Sequence, residues 1–213
     1  MLKNYFTLSN CISSAIWLIK NWYKIWEKTL RIIGDIKIFK TPCWINYVPE
    51  EFDYKVRGED ICRIQEIIKP GDIILRSYEN YLDSYLIPGK YSHSGVYIGD
   101  GKIIHAVAEG VKEIHLIDFC QADGILVLRH YADAKKQIER CKKWIGKEYD
   151  FKFNSTDSTA FYCHELTATS LKDMINIEAV TPTFMGMKLK FLKSKYLAES
   201  FINNKAFITI IEV

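Results

Sequence analysis

The chain has 213 residues, 48% hydrophobic and 26% charged content, and a net charge of +3. That is room for one domain with a real core plus an appended segment. It excludes a disordered chain and a strongly basic, phosphate-tracking surface, so no nucleic-acid partner is expected.

Met1-Leu2-Lys3-Asn4 ahead of apolar residues faintly suggests an export signal, but Asn10, Ser13, Ser14 and Lys20 interrupt the run. Leu8-Ser9-Asn10-Cys11 is a poor lipobox, because Asn10 stands where a small residue belongs. A cytoplasmic or membrane-peripheral protein is favoured over an exported one. Residues 11–33 carry Ile12, Ala15, Ile16, Ile19, Trp22, Tyr23, Trp26, Leu30 and Ile33 at helical spacing, with Lys20, Lys24, Lys28 and Arg31 on other faces. Trp with Lys on such a helix fits peripheral membrane contact. Packing on its own domain or on a second chain explains the same pattern, and we favour it. No run of about 20 uncharged apolar residues exists, so no spanning helix is expected.

Pro42, Pro49 and Gly58 punctuate an irregular stretch, and a short helix is predicted from Arg57 to Ile68, ended by Lys69-Pro70-Gly71. Short strands follow: Asp72–Arg76, Ser92–Ile98, Lys102–Val107, Val111–Leu116 and Ile125–Arg129. Tyr78, Tyr81, Leu82, Tyr85 and Leu86 suit helical turns, in an aromatic loop running to Tyr91 that could line a pocket. A helix from Ala132 to Trp144 is capped by Gly146, a second runs from Tyr162 towards Met174, and a last strand spans Ala206–Glu212. The expected architecture is an α+β domain over 60–213, an antiparallel sheet packed against helices, preceded by an N-terminal extension over 1–59.

The six cysteines, Cys11, Cys43, Cys62, Cys120, Cys141 and Cys163, include no CxxC pair. A zinc knuckle is not expected, and most are read as reduced core residues. Cys163 differs in position, because it stands where the polar loop Asp157-Ser158-Thr159 becomes a helix. The free N–H groups of a helix start lower a thiol pKa and can hold a developing oxyanion.

His93 and His105 fall on the two arms of one hairpin. A two-residue loop at Asp100-Gly101 would put His105 opposite Val96, facing away from His93. A three-residue loop, Gly99-Asp100-Gly101, pairs Ile98 with Lys102 and Gly95 with His105, and sets both histidines on one face beside an open space at Gly95. We take the three-residue loop. Each histidine alone reads more simply as a half-buried strand residue. As a metal site the pair lacks an evident third ligand, so neither metal nor cofactor is expected.

Gly71-Asp72-Ile73-Ile74, Tyr91-Ser92-His93-Ser94-Gly95-Val96-Tyr97-Ile98-Gly99 and Lys102-Ile103-Ile104-His105-Ala106-Val107 carry an ordered likeness. So do Gly146-Lys147-Glu148-Tyr149-Asp150, Phe161-Tyr162-Cys163-His164-Glu165-Leu166 and Tyr196-Leu197-Ala198-Glu199-Ser200-Phe201. Together residues 68–213 resemble the permuted NlpC/P60 papain-like family, in its YiiX/YebB-like branch, which includes an orthopoxvirus group. The resemblance implies a papain-like fold with Cys163 as nucleophile, His93 as base and His105 as the residue that orients it. Glu109 is a fallback orienter, and Tyr149 matches a tyrosine near the oxyanion. Many relatives hold Glu at the third place, whereas a His there is similar to the lecithin retinol acyltransferase group. His164 stands where relatives commonly have Ser and has no assigned role; His115 and His130 match nothing and are expected to be structural or exposed.

The expected activity is cysteine hydrolysis of an amide through a thioacyl intermediate, on a small peptide of the cell-wall type. The alternatives are a lipid acyl hydrolase or acyltransferase at a membrane surface, and a non-catalytic binding module that keeps the fold.

Overall fold

The computed structural model describes residues 54–79, 89–153, 159–181 and 195–213, with short pieces between 21 and 29, at 36–38, 45–47, 183–184 and 187–188. Cys11, Cys43, Tyr81, Leu82, Tyr85, Leu86, Asp157 and Ser158 lie outside the described residues. Helical residues occur between 21 and 29, within the predicted N-terminal helix. Two small antiparallel ribbons, β1 (Ile36–Ile38) with β2 (Ile45–Tyr47) and β10 (Thr183–Phe184) with β11 (Met187–Lys188), stand apart from the main sheet. Among the described residues no helix is long and apolar enough to cross a membrane.

The main sheet has six antiparallel strands in the order β12-β7-β3-β4-β5-β6. They are β3 (Ile73–Ser77), β4 (His93–Gly99), β5 (Lys102–Val107), β6 (Gly110–His115), β7 (Gly124–His130) and β12 (Phe207–Glu212). Apolar residues alternate between the two faces, as the period of a strand requires. Ile74, Tyr97, Ile103, Ile125 and Val127 point to one side, where Ile64 of α1 (Gly58–Ile67) and Phe119 of α2 (Leu116–Phe119) cover them. Ile73, Leu75, Leu126 and Leu128 point to the other, against Ala168 of α4 (Cys163–Ser170) and Phe201 of α5 (Glu199–Ile202). Val96, Ile104 and Ala106 meet Leu166 of α4 and Cys141 of α3 (Ala134–Trp144) on that same side. The predicted strands and the last two long helices are all present. The second stops at Ser170 rather than near Met174, because Leu171 caps it and Asp173 turns left-handed at φ 67. The strand predicted to Leu116 ends at His115, whose Nδ1 accepts the Ile117 N–H and so opens α2.

The histidine hairpin differs from expectation in its turn. Gly99 pairs with Lys102, which leaves a two-residue loop with Asp100 at φ 51 and Gly101 at φ 69. Both central residues at positive φ suit the tight turn that matches strand twist. A bulge between Tyr97 and Gly99 then shifts the register by one, so that Gly95 still faces His105. Without that bulge the tight turn would have turned His105 to the opposite face.

Nor is the space at Gly95 open. A Cβ there would lie 2.6 Å from Ile103 Cγ2 and 3.2 Å from Phe119 Cε2. Gly95→Ala is therefore expected to cost about 1–3 kcal/mol of stability by overpacking. A urea titration of the variant measures it, and an unchanged midpoint would show that Ile103 and Phe119 yield freely.

Candidate active site

His93 opens β4 and His105 lies mid-way along β5, so the bulged hairpin presents both imidazoles together. His93 Nε2 is 3.0 Å from His105 Nδ1. The Phe119 ring centroid lies 5.7 Å from each imidazole. Arg76 stands opposite His93 in the β3–β4 register. Burial, and then the Arg76 charge, hold His93 well below the ordinary histidine range and bring His105 down to about 3. Both rings are therefore neutral at physiological pH, each with one donor and one acceptor nitrogen.

Cys163 is the first residue of α4, after the N-cap Tyr162. The start of this helix is held from several sides. The Tyr162 N–H donates to Glu165 Oε2 and the Tyr162 hydroxyl accepts the Tyr196 N–H. Phe161 pairs with Tyr149 where β8 (Glu148–Tyr149) runs parallel to β9 (Ala160–Phe161), and Ser94 Oγ meets Thr167 Oγ1 at 3.0 Å. The buried Cys163 thiol lies 3.8 Å from the Ser92 carbonyl, to which it donates, and 3.4 Å from His164 Nδ1. Burial pushes it up to about 11, opposed by the N–H groups of Ser94, His164 and Cys163 itself, which all approach the sulfur, and by the Arg76 charge. The sulfur thus meets the backbone on both sides of His93, at Ser92 and Ser94. Its hydrogen bonds go to Ser92 and His164, and none goes to the His93 ring.

The other sequence candidates separate clearly. Glu109 is exposed in the β5–β6 turn beside Lys112, so His105 is the residue that touches His93. Tyr149 packs its ring against Phe151 and Phe153, and Phe153 packs on Tyr162. Tyr91 is buried and donates its hydroxyl to Glu212. His130 bridges Gly71 O and Gln137 and accepts from the Ala132 N–H, a structural role. His164, for which the sequence suggested no role, is buried against Phe201 and lies beside the thiol. Burial lowers it to about 3. Cys62, Cys120, Cys141 and Cys163 are free thiols, and no cluster of three or more metal-ligating side chains occurs among the described residues.

Two buried neutral histidines, His105 and His164, and the half-buried His93 tie stability to pH. The unfolded chain takes up their protons below about pH 6.5, whereas the folded protein resists until far lower pH. Their contribution is complete above that value and is lost as the pH falls toward about 3, the folded value of His105 and His164. The thermal midpoint is expected to drop steadily between about pH 7 and pH 4, and less steeply in a His164→Phe variant. Calorimetry across that range checks it.

A family model described as permuted papain-like amidase enzyme, YaeF/YiiX, C92 family, matches residues 67–206. The chain belongs to this family. It is accordingly a cysteine hydrolase of the amidase and peptidase kind, with the mixed α+β fold the family implies. A crystal structure described as metalloprotein YiiX from Escherichia coli O157:H7 superposes with a TM-score of 0.54 at 18% identity, covering 68% of this chain and 97% of that one. At that identity the likeness speaks for the shared fold. No curated protein sequence matches.

Proposed function

We propose that Cys163 is the nucleophile, His93 its general base and His105 the residue that orients His93, and that the reaction is hydrolysis of an amide. The observation that carries this reading is the meeting of the α4 start with the histidine hairpin. The thiol meets the backbone of Ser92 and Ser94, the residues on either side of His93, whose Nε2 is engaged by His105 at 3.0 Å. That bond leaves His93 Nδ1 as the nitrogen for the thiol proton, provided His93 carries its own proton on Nε2 and donates it to His105. To react, the thiol leaves the Ser92 carbonyl and turns to His93 Nδ1; such contacts often tighten only with substrate bound. Sulfur then attacks the carbonyl carbon, the Cys163 N–H supports the oxyanion, and the C–N bond breaks as His93 returns the proton to the leaving amine. Water, deprotonated by His93, releases the acid and restores the thiol. Tyr149 is a further oxyanion candidate on the family resemblance alone.

A second reading, a lipid acyl substrate at a membrane surface, is favoured by the exposed side chains of Trp22 and Trp26 and by a His at the third site position. Matched substrates separate the two: an N-acyl amino acid amide, and phospholipid vesicles carrying the same acyl chain. Amine release that Cys163→Ala abolishes supports the amidase. Fatty-acid release from vesicles without amide cleavage would replace it with the lipid reading.

A further inference from the structure

We propose that Arg76 is an anion-binding residue of this site and that the substrate carries a carboxylate close to its scissile carbonyl. The assignment rests on the placement of the reaction at Cys163 and His93.

Arg76 and His93 are direct neighbours across β3 and β4, so their side chains leave the sheet on the same face. The guanidinium carbon rests 4.7 Å from the Phe119 ring centroid and 5.0 Å from that of Tyr78. Among the described residues its one hydrogen bond is long, from Nη1 to the Phe119 carbonyl at 3.4 Å, and its buried Nε has no partner there. Elsewhere arginines are matched: Arg63 with Asp60, Arg129 with Asp72, Arg140 with Asp173. Arg76 has no carboxylate partner among the described residues.

A half-buried cation without a counter-ion is costly to fold. This one also stands where it opposes protonation of both imidazoles. For a base that must accept a proton, such a neighbour is a handicap until something neutralises it. A carboxylate supplied by the substrate would do so through charge-assisted, two-pronged hydrogen bonds, the geometry that guanidinium favours. It would fix the acyl group beside the thiol. It would also relieve the field that weakens His93, so the base would strengthen only when the correct substrate is bound.

Iodoacetate and iodoacetamide form a suitable probe pair, since they differ by one charge and little in shape. Exposed Cys62 in the same molecule is the internal reference. In the full chain, the iodoacetate-to-iodoacetamide rate ratio at Cys163, read by peptide mass, is expected to exceed that at Cys62 by about tenfold or more. Arg76→Gln should bring the ratio down to the Cys62 value, and Arg76→Lys should keep part of the excess. Acetate should compete with iodoacetate better than inorganic phosphate does at equal ionic strength. Equal ratios at the two cysteines of the wild-type protein, or no iodoacetate labelling of Cys163, would overturn the assignment without recourse to any variant. Stronger competition by phosphate would overturn the carboxylate. The neutral acyl donor p-nitrophenyl acetate reads the hydrolase chemistry separately. Acylation of Cys163 with no iodoacetate preference removes only Arg76, whereas a lack of acylation removes the reading beneath it.

Discussion

Replacing His93 with glutamine is expected to lower kcat/KM by about 10³-fold or more, with the loss in kcat, because glutamine has no basic nitrogen to take the thiol proton. The neighbouring position should behave differently. His105→Gln keeps an oxygen that can accept from His93 Nε2, so a loss of about tenfold is expected; His105→Leu removes the acceptor and should cost about 10²–10³-fold. His105 is a positioning residue in this account, and the split between its two variants is the signature of that role. Equal losses in both would point instead to simple packing of the buried ring. Steady-state kinetics of the three variants on the amide substrate decides between these outcomes.

The largest expected effect on stability lies away from the sulfur. Asp72 is buried at the start of β3 and accepts two hydrogen bonds from Arg129, at 2.8 and 2.6 Å, and one from the Lys69 N–H at 2.7 Å. Arg129 also donates to the Ile67 carbonyl, so the pair ties the end of α1 to β3 and β7. Arg129→Met strands a buried carboxylate and is expected to cost about 3 kcal/mol, a fall of about 6–12 °C in thermal midpoint for a chain of this size. Arg129→Met combined with Asp72→Leu should recover much of the loss, since no charge then stays buried alone. A double variant as unstable as the single one would mean that the backbone hydrogen bonds matter more than the ion pair.

Much of the fold was legible because its strands keep a clean two-residue period with turn residues between them. The hairpin marks where that legibility ended. Gly99-Asp100-Gly101 accommodates either loop, and the bulge at Ile98 that sets the register comes from how β4 fits β3 and β5, which no local pattern records. Gly95 suggests room beside the imidazole, yet Ile103 of β5 fills it together with Phe119, which comes from a one-turn helix too short to show periodicity. That His93 and His105 share one face, and that Cys163 stands at a helix start, was legible from the hairpin and from the polar loop before the helix. Arg76 was not: a single charge in Ile73-Ile74-Leu75-Arg76-Ser77 looks like an ordinary strand end until the register sets it opposite His93. His164 was visible only as the residue after the cysteine, and its approach to the sulfur depends on the first turn of α4.

The most direct test is the mass of the acyl-enzyme. Wild-type protein mixed with p-nitrophenyl acetate and quenched in acid within the first turnover is expected to gain one acetyl group on the peptide that contains Cys163, and the His93→Gln protein to gain none in the same interval. Acetylation that falls on Cys62 in preference to Cys163, or that proceeds equally well without His93, would contradict the account.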